Sequence, residues 1–246
     1  MKDNFSSVAD LYAQYRPSYP QKLFDFLYSI VRCHNNAWDV GTGNGQVAFE
    51  LSKSFHQVMA TDISQAQIDK ALKVPNILYS IQPAEETNFP DDIFNLITVA
   101  QAIHWFHFER FYKEVVRVSK PDAVLCAIGY GVLRFHHPID EVIQVFYKEI
   151  VGPYWDSERK YIDEAYKTIP FPFEEISSPE LTISYNWTFA QLIGYFNTWS
   201  AVKHYMHDKQ ENPVDIIKPE LHRYWGDAPA LTVHFPVFMR TGVVQK

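Results

Sequence analysis

Three glycines fall within one stretch of five residues, directly after a short apolar segment. The segment 37–40 is typical of a strand, residues 45–54 have the apolar spacing of a helix, and Gly41, Gly43 and Gly45 connect the two. Glycine lets a backbone turn tightly and lets a ligand approach the main chain closely. The whole chain has only nine glycines among 246 residues, so this concentration predicts a ligand-binding loop.

A carboxylate follows the next strand along the chain. Asp62 ends the predicted strand 57–61 and lies about twenty residues after Gly41, where nucleotide-binding α/β units carry an acidic residue. In open α/β sheets, ligands bind outside the carboxyl ends of the strands. A carboxylate at that place can accept hydrogen bonds from both hydroxyls of a ribose. The glycine loop and Asp62 together predict a nucleoside ligand.

The spacing of the glycines distinguishes between nucleosides. A dinucleotide-binding loop has the pattern G-x-G-x-x-G, which would need its third glycine at position 46, and the chain has Gln46 there. The chain instead has G-x-G-x-G preceded by Asp39, and this string resembles motif I of the class I S-adenosylmethionine-dependent methyltransferases. A glycine-rich turn that only shapes the backbone is the alternative, and the presence of Asp39 and Asp62 disfavours it.

Later segments resemble the same family. Residues 83–91 resemble the A-E-x-L-P-F segment, whose first residues contact the adenine, although Asn88 replaces the usual Leu; residues 94–97 resemble the F-D-x-V strand, with Asn95 for the usual Asp. Residues 101–106 resemble the A-x-H-W-F segment of a narrower branch that includes trans-aconitate methyltransferase-like proteins. Stretches 12–20 and 198–202 are also similar to that branch, so the resemblance spans nearly the whole chain.

The resemblance implies a methyltransferase type 11 domain with S-adenosylmethionine as its cofactor. The residues that it implies as cofactor contacts are Asp39, Gly41, Gly43, Gly45, Asp62, Ile63, Ala84, Glu85, Gln101, Tyr12 and Arg16. Arg16 could pair with a carboxylate of the cofactor or of an acidic substrate, since arginine binds carboxylates bidentately; a surface role is the alternative. Tyr12 and Tyr15 lie about one helical turn apart and share a face, where they either cover the cofactor or anchor the helix.

His104 is the candidate for a chemical role. It follows the fourth predicted strand, at the cofactor end of the sheet. A general base is needed only if the methyl acceptor carries a proton at neutral pH, and a carboxylate does not, because its usual pKa is about 4. A phenol, amine or carbon acid could use His104 as its base. The alternative is a hydrogen-bonded histidine that holds the loop in position.

The C-terminal part is rich in aromatic residues and predicts an acceptor pocket for a small organic molecule. Aromatic residues make up 16% of the chain, and apolar pockets with a few polar groups are typical of small-molecule sites. The residues that we expect to line this pocket are Tyr15, Trp105, Trp199 and Lys203. His204 and His207 share a helical face, but no nearby Cys or third His completes a zinc-type site, so no metal is expected.

The elements that must position these residues alternate between strand and helix up to residue 131. Such alternation is typical of βαβ units with right-handed crossovers. It predicts a doubly wound, mostly parallel, seven-stranded Rossmann-like α/β sheet with helices on both faces. We expect residues 1–36 to form N-terminal helices over the cofactor site, 37–187 the sheet domain, 188–228 a helical aromatic cap, and 229–246 the final strand. Within these regions, one helix is predicted over 139–168, and Pro236 suggests an edge strand or a bulge.

Charge and hydropathy exclude some classes of partner. With 22 Lys and Arg against 29 Asp and Glu, the net charge is −7, which argues against nucleic acid because such binding depends on clustered cations. No apolar run reaches the roughly 18 residues of a membrane span. The first residues lack the apolar stretch of a signal peptide. A cytoplasmic protein without a membrane partner is therefore expected.

The leading hypothesis is an S-adenosylmethionine-dependent methyltransferase that acts on a small organic molecule, by O-methylation of a carboxylate. An N- or C-methyltransferase, including one with an RNA or protein acceptor, is the alternative within enzymes of this kind. A nicotinamide-dependent dehydrogenase is disfavoured by Gln46. A non-catalytic nucleoside-binding module stays open, because function depends on the site rather than on the fold.

Overall fold

The first parallel strands are apolar on both sides because helices cover both faces of the sheet.

The computed structural model describes residues 17–136 and 138–246. The strands in this part of the chain are β1 (Asn36–Val40), β2 (Gln57–Asp62), β3 (Ile77–Ile81), β4 (Phe94–Ala100), β5 (Ser119–Tyr130), β6 (Glu174–Ile176), β7 (Leu181–Trp187) and β8 (Leu231–Val243). The helices there are α1 (Gln21–Ile30), α2 (Gln46–Ser52), α3 (Gln65–Asp69), α4 (Phe108–Val118), α5 (Ile139–Val145), α6 (Arg159–Asp163), α7 (Phe189–Phe196), α8 (Ser200–Lys209) and α9 (Val214–Trp225).

The strands form one mixed sheet in the order β3-β2-β1-β4-β5-β8, with β6 and β7 both beyond β8. Strands β1 to β5 run parallel, and β8 is antiparallel to β5. Both β6 and β7 pair antiparallel with β8, one after the other along its length. The carboxyl ends of β1, β2, β4 and β5 therefore meet at one edge, as the doubly wound prediction requires.

Each face of the parallel strands packs against its own helices. On one face, Val124, Cys126 and Ile128 of β5 join a buried cluster with α1 and α2. On the other face, Leu125 and Ala127 join a cluster with α4 and with residues 162–173. This alternation is the two-residue period of a strand. It fixes the register of β5, because a slip of one residue would turn every apolar side chain to the other face.

A third apolar cluster covers the carboxyl edge of the sheet, where β5 and β7 end and β8 begins. We call this layer the aromatic cap and define it as residues 133–136, 138–155 and 187–228, built mainly from α5, two short turns and α7 to α9. The expected cap began only at residue 188, so the structure adds a second and earlier segment. The two segments interlock through ring contacts such as Phe146 stacked on Trp199, with centroids 5.7 Å apart.

The structure differs from the sequence predictions in several elements. The single helix predicted over 139–168 is wrong: α5 passes into the π-type turn Phe146–Ile150, and Gly152–Tyr154 interrupts the path before α6. Pro153 in that turn lacks an N–H and cannot continue a helix. The short strand β6 was not predicted, because three residues show no alternating pattern, and it makes the sheet of the described chain eight-stranded. At Pro236 itself β8 pairs with β7 alone, because its pairing with β5 begins at Val237, so Pro236 has an edge position locally.

No helix within residues 17–136 and 138–246 has both the length and the apolar composition to cross a membrane.

Candidate cofactor and acceptor site

The glycine loop has a backbone that other residues adopt with difficulty. Gly41, Gly43 and Gly45 have φ values of 64°, 56° and 80°, in the left-handed region. A Cβ on Gly41 would lie 2.7 Å from the Cβ of Ala102, and one on Gly45 would overlap the hydroxyl of Tyr79. The loop therefore depends on glycine both for its conformation and for its close packing against neighbouring loops.

Asp39 lies beneath the loop and holds it from below. Its carboxylate accepts hydrogen bonds from Thr42 Oγ1 at 2.5 Å, Thr98 Oγ1 at 2.9 Å and the backbone N–H of Ala48 at 3.1 Å. Burial raises the pKa of Asp39 to about 6, because a charged carboxylate is poorly solvated in the interior. The three bonds fix the loop to β4 and to α2, so Asp39 acts on the loop itself.

Asp62 joins two loops at the same edge. Its Oδ2 accepts from the backbone N–H of Gly43 at 2.8 Å, and its Oδ1 accepts from the backbone N–H of Ser64 at 2.9 Å. Asp62 thus connects the glycine loop to Ser64, the residue that precedes α3, at the carboxyl end of β2. Ile63, between Asp62 and Ser64, is half-buried.

A cavity of about 70 Å³ lies between the glycine loop and the carboxyl ends of β4 and β5. It is lined by Pro17, Tyr19, Asp39, Gly41, Thr42, Gly43, Asn44, Gln46, Val47, Ala100, Gln101 and Tyr130. Pockets that enclose a whole drug-sized ligand are roughly 300–1,000 Å³, so this cavity takes one end of such a ligand. Four of the sequence-predicted site residues, namely Asp39, Gly41, Gly43 and Gln101, meet here.

Gln101 is a non-glycine residue with a left-handed backbone, at φ 52°. Its backbone N–H donates to the carbonyl of Ile128 at 2.8 Å, and its Nε2 donates to the carbonyl of Tyr130 at 3.0 Å. Residues held in such conformations cost free energy and cluster at functional sites. Gln101 thus ties the end of β4 to the end of β5 at the wall of the cavity.

Ala84 and Glu85 lie in the loop after β3, beside the turn that leads into α4. Ala84 is buried, and Oε1 of Glu85 accepts from the backbone N–H of His107 at 3.0 Å. Neither residue lines the 70 Å³ cavity. Both follow the carboxyl end of a strand next to β2, so they lie on the same edge of the sheet as Asp62.

His104 lies in the single turn Ile103–Trp105, directly after β4, and is only 7% exposed. Its Nδ1 is 3.1 Å from the hydroxyl of Tyr166. Burial, with the positive charge of Arg159, lowers the pKa of His104 to about 3. The imidazole is therefore neutral at pH 7 and a weak proton acceptor, and this environment favours the holding role over the general base.

The expected acceptor residues separate into two environments. Trp105 is half-buried beside His104, with ring centroids 4.9 Å apart. Trp199 is 3% exposed and lies in the interior of the aromatic cap, in contact with Phe146 and other rings, rather than on an open pocket wall. Lys203 is half-buried on α8. The other expected contacts, Tyr12, Tyr15 and Arg16, lie outside the described residues.

His204 and His207 are both exposed on α8, and Nδ1 of His204 lies 2.9 Å from the carbonyl oxygen of Tyr154. Within the described ranges, no three His, Cys, Asp or Glu residues are grouped so that they could hold a metal ion.

The sequence analysis missed two residues that the structure places beside His104. Tyr166 contacts the imidazole, and Arg159 packs over Trp155 with its guanidinium carbon 4.5 Å from the ring centroid. The spacing of Trp155 and Arg159, four residues apart, was the available signal. It was hidden because Arg159 and Asp163, also four residues apart, look like an ordinary surface ion pair on a helix.

Comparisons with known proteins point in one direction. Residues 38–127 match the family described as Methyltransferase domain. A Dictyostelium discoideum protein assigned as a methyltransferase is 32% identical over 96% of this chain and 93% of its own length. A Saccharomyces cerevisiae protein assigned as an S-adenosylmethionine-dependent methyltransferase is 26% identical over 66% of this chain and 60% of its own length.

A solved structure supports the same comparison. A structure from Anaeromyxobacter dehalogenans, assigned as a type II methyltransferase, superposes with a TM-score of 0.87 at 36% identity. The match covers 94% of this chain and 98% of the other. The similarity therefore includes the aromatic cap as well as the sheet.

Proposed function

The chain belongs to the class I methyltransferases that use S-adenosylmethionine as cofactor, and from that premise we propose that it methylates a carboxylate oxygen of a small organic acceptor. The observation that carries the proposal is the state of His104. This histidine is buried, hydrogen-bonded to Tyr166 and neutral at pH 7. A site without an effective base there favours an acceptor that is already ionised, as a carboxylate is.

The residues at the carboxyl edge fit the cofactor. The left-handed glycine loop brings main chain rather than side chain to the cavity. Asp62 is a carboxylate at the end of β2, and carboxylate oxygens accept hydrogen bonds from hydroxyls such as those of a ribose. We assign the ribose to Asp62 and the adenine side to Ile63, Ala84 and Glu85. Gln101 would meet the opposite end of the ligand at the 70 Å³ cavity. Asp39 contributes by holding the loop.

When bound, S-adenosylmethionine would supply an electrophilic methyl group on a sulfonium sulfur. Its transfer to a carboxylate oxygen would break the C–S bond, leave the electron pair on sulfur and need no proton transfer. The chain's own residues then have two tasks. They must hold the acceptor in line with the methyl group, which can lower the barrier by roughly 7–11 kcal/mol. They must also exclude water from the site, and the apolar rings of the cap suit that task.

Three further assignments rest on the same proposal. Residues 101–106 resemble a segment of the branch with trans-aconitate methyltransferase-like proteins, and membership of that branch, which we propose, would agree with an acidic acceptor. Residues 1–36 would cover the cofactor, and Pro17 and Tyr19 already line the cavity. We expect the protein to act in the cytoplasm, on a small molecule rather than RNA, since its net charge is −7.

The test uses S-adenosylmethionine with a tritiated methyl group and a panel of small carboxylic acids, phenols and amines. Methyl esters release volatile methanol in mild base, whereas methyl ethers and methylamines do not. We expect base-labile, volatile tritium with at least one acid and none with its amide. Label that is stable to base, formed with a phenol or an amine, would refute carboxylate methylation while leaving the methyltransferase assignment intact.

A further inference from the structure

We propose that Arg159 is the residue that binds the carboxylate of the acceptor, through its two terminal guanidinium nitrogens. This inference rests on the proposed function, because it assigns the acceptor subsite of the same reaction. The sequence had pointed to Arg16 for an acidic substrate, and Arg159 received no role. The geometry around Arg159 carries the proposal in three steps: its position, the way it is held, and the charge around it.

Arg159 lies between the cofactor loop and the aromatic cap. It begins α6, which packs against the turn Ile103–Trp105. That turn follows Ala102, whose Cβ leaves no room for a side chain on Gly41. On its other side, Arg159 packs over Trp155, which contacts Trp199 in the cap interior at a centroid distance of 5.4 Å. A methyl acceptor that contacts both the cofactor loop and the aromatic cap would therefore lie beside Arg159.

The guanidinium is held from behind. Its Nε donates to the hydroxyl of Tyr147 at 2.7 Å and lies 3.6 Å from Oδ1 of Asp163. Its planar group packs over Trp155 at 4.5 Å and over Tyr147 at 5.1 Å. Nη1 and Nη2 donate to no group within residues 17–136 and 138–246, and the side chain is 23% exposed. The pair of nitrogens that matches a carboxylate is thus available for a ligand, in a fixed orientation.

Charge and surroundings favour an anion at this place. The positive charge of Arg159 reaches the neighbouring turn, where it helps to lower the pKa of His104. Asp163 offsets part of that charge, but it contacts Nε and is also bound by the hydroxyl of Tyr147. The rings around the guanidinium exclude water, and a bidentate charge-assisted pair is strongest in such surroundings. A carboxylate held by two N–H groups keeps further lone pairs, so one oxygen can still attack.

The test measures carboxylate binding separately from turnover. Calorimetry on the full chain, saturated with S-adenosylhomocysteine, uses acetate, hexanoate, benzoate and succinate, each beside its neutral amide. We expect at least one acid to bind and its amide not to bind. Arg159→Lys keeps the positive charge but loses the fork, and it should raise the Kd of that acid at least about tenfold. The affinity for S-adenosylhomocysteine should be unchanged, which also shows that the variant is folded.

Arg223→Lys is the matched control. Arg223 also packs over a ring, that of Tyr224 at 4.6 Å, and also pairs with a carboxylate, that of Glu220 at 3.2 Å. It contacts neither the 103–105 turn nor the rings around Arg159, so its replacement should leave carboxylate binding unchanged. An equal loss in both variants would show that the effect is not specific to Arg159 and would overturn the inference.

Other outcomes also decide the question. The inference fails if none of the four acids binds, if the amides bind equally well, if inorganic phosphate binds more tightly than every acid, or if Arg159→Lys leaves the Kd unchanged. Its failure is distinct from failure of the proposed function. If Arg159→Lys forms methyl esters at the wild-type rate, the proposed function stands and the role of Arg159 is refuted. If acid binding depends on Arg159 but no methyl ester forms, the binding role stands and the proposed reaction is refuted.

Discussion

The glycine-loop edge and the aromatic cap face each other across the site, and they are built in opposite ways. The glycine loop at this edge lies within one continuous stretch, residues 38–62, in which Asp39 bonds to Thr42 and Asp62 bonds to Gly43. The cap is made by two segments far apart in the chain, joined by contacts such as Phe146 to Trp199. The edge presents main chain to its ligand, whereas the cap presents side chains.

This difference explains how the two regions divide the work. A cofactor shared by a whole family needs one backbone arrangement, and glycines with fixed φ values provide it. An acceptor that differs between relatives needs a surface that can vary. Substitution of the packed aromatic residues changes the shape of that surface without altering the sheet. We therefore expect changes at the edge to alter cofactor affinity, and changes in the cap to alter stability or acceptor binding.

The largest effect should come from Trp199. Trp199→Ala removes a large ring from the interior of the cap, and such a change costs about 3–5 kcal/mol of unfolding free energy. Urea denaturation measures it, with Trp155→Ala as the control, because Trp155 is half-buried and should cost less. If Trp199→Ala cost no more than its control and weakened only acceptor binding, Trp199 would be a pocket wall and the cap would have a different core.

A charge effect beneath the glycine loop comes next. The folded-state pKa of Asp39 is about 6 against an ordinary 3.8, so the folded state binds the proton more tightly than the unfolded state. The unfolding free energy of the wild type should therefore fall as pH rises from about 4 to 6, by about 2–3 kcal/mol relative to Asp39→Asn. Denaturant titrations at several pH values measure this difference. If the unfolding free energies of the wild type and Asp39→Asn changed equally with pH, the raised pKa of Asp39 would be contradicted.

Gly41 tests the edge directly. Gly41→Ala should cost about 1–2 kcal/mol of conformational free energy, because alanine disfavours the left-handed backbone. It also places a methyl group against Ala102. Gly226→Ala, outside the loop, also has a positive φ, of 59°, with nothing within 4 Å of the added Cβ, so it is the control for backbone strain without a steric clash. We expect Gly41→Ala to weaken S-adenosylhomocysteine binding at least about tenfold (about 1.4 kcal/mol) and Gly226→Ala to leave it unchanged. If the two variants bound S-adenosylhomocysteine with equal affinity, the glycine loop would not be part of the cofactor site.

The smallest effect should be at His104, where the two regions meet. Because its imidazole is neutral with a pKa of about 3, His104→Gln should slow methyl transfer less than about tenfold, below the roughly 10²–10⁴-fold contribution of a general base. The pH–rate profile of the wild type should show no rise near pH 6.5, the usual imidazole pKa. A loss of about a thousandfold, with such a rise present in the wild type alone, would identify His104 as the base.

The same contrast decides how much the sequence could predict. The parallel strands and the glycine loop follow from short-range patterns, because short apolar runs and G-x-G-x-G spacing are local. The sequence could not show that Asp62 would bind Gly43 and Ser64 through their backbone N–H groups, since main-chain bonds leave no trace in residue types. Even so, its position at the strand end was sufficient to single it out.

The cap was predicted only in its second half. Helices α7 to α9 have helical spacing and were expected, but residues 138–155 are interrupted by the π-type turn and by Gly152–Tyr154. Their place in the cap depends on packing against α8, which is some fifty residues away in the chain. Arg159 was missed for a different reason, since its spacing from Asp163 looks like an ordinary ion pair on a helix surface and hides its contact with the ring of Trp155.

The central claim is that the cofactor is bound at the glycine-loop edge, with Asp62 as its ribose acceptor. Calorimetric titration of S-adenosylhomocysteine into the wild type and Asp62→Ala tests it most directly, with NAD as the ligand that the Gln46 spacing excludes. The account predicts saturable binding to the wild type, no binding of NAD, and at least about tenfold weaker binding to Asp62→Ala, since hydrogen bonds to a charged group contribute about 1.5–3 kcal/mol each. An unchanged Kd in a folded Asp62→Ala protein would contradict it.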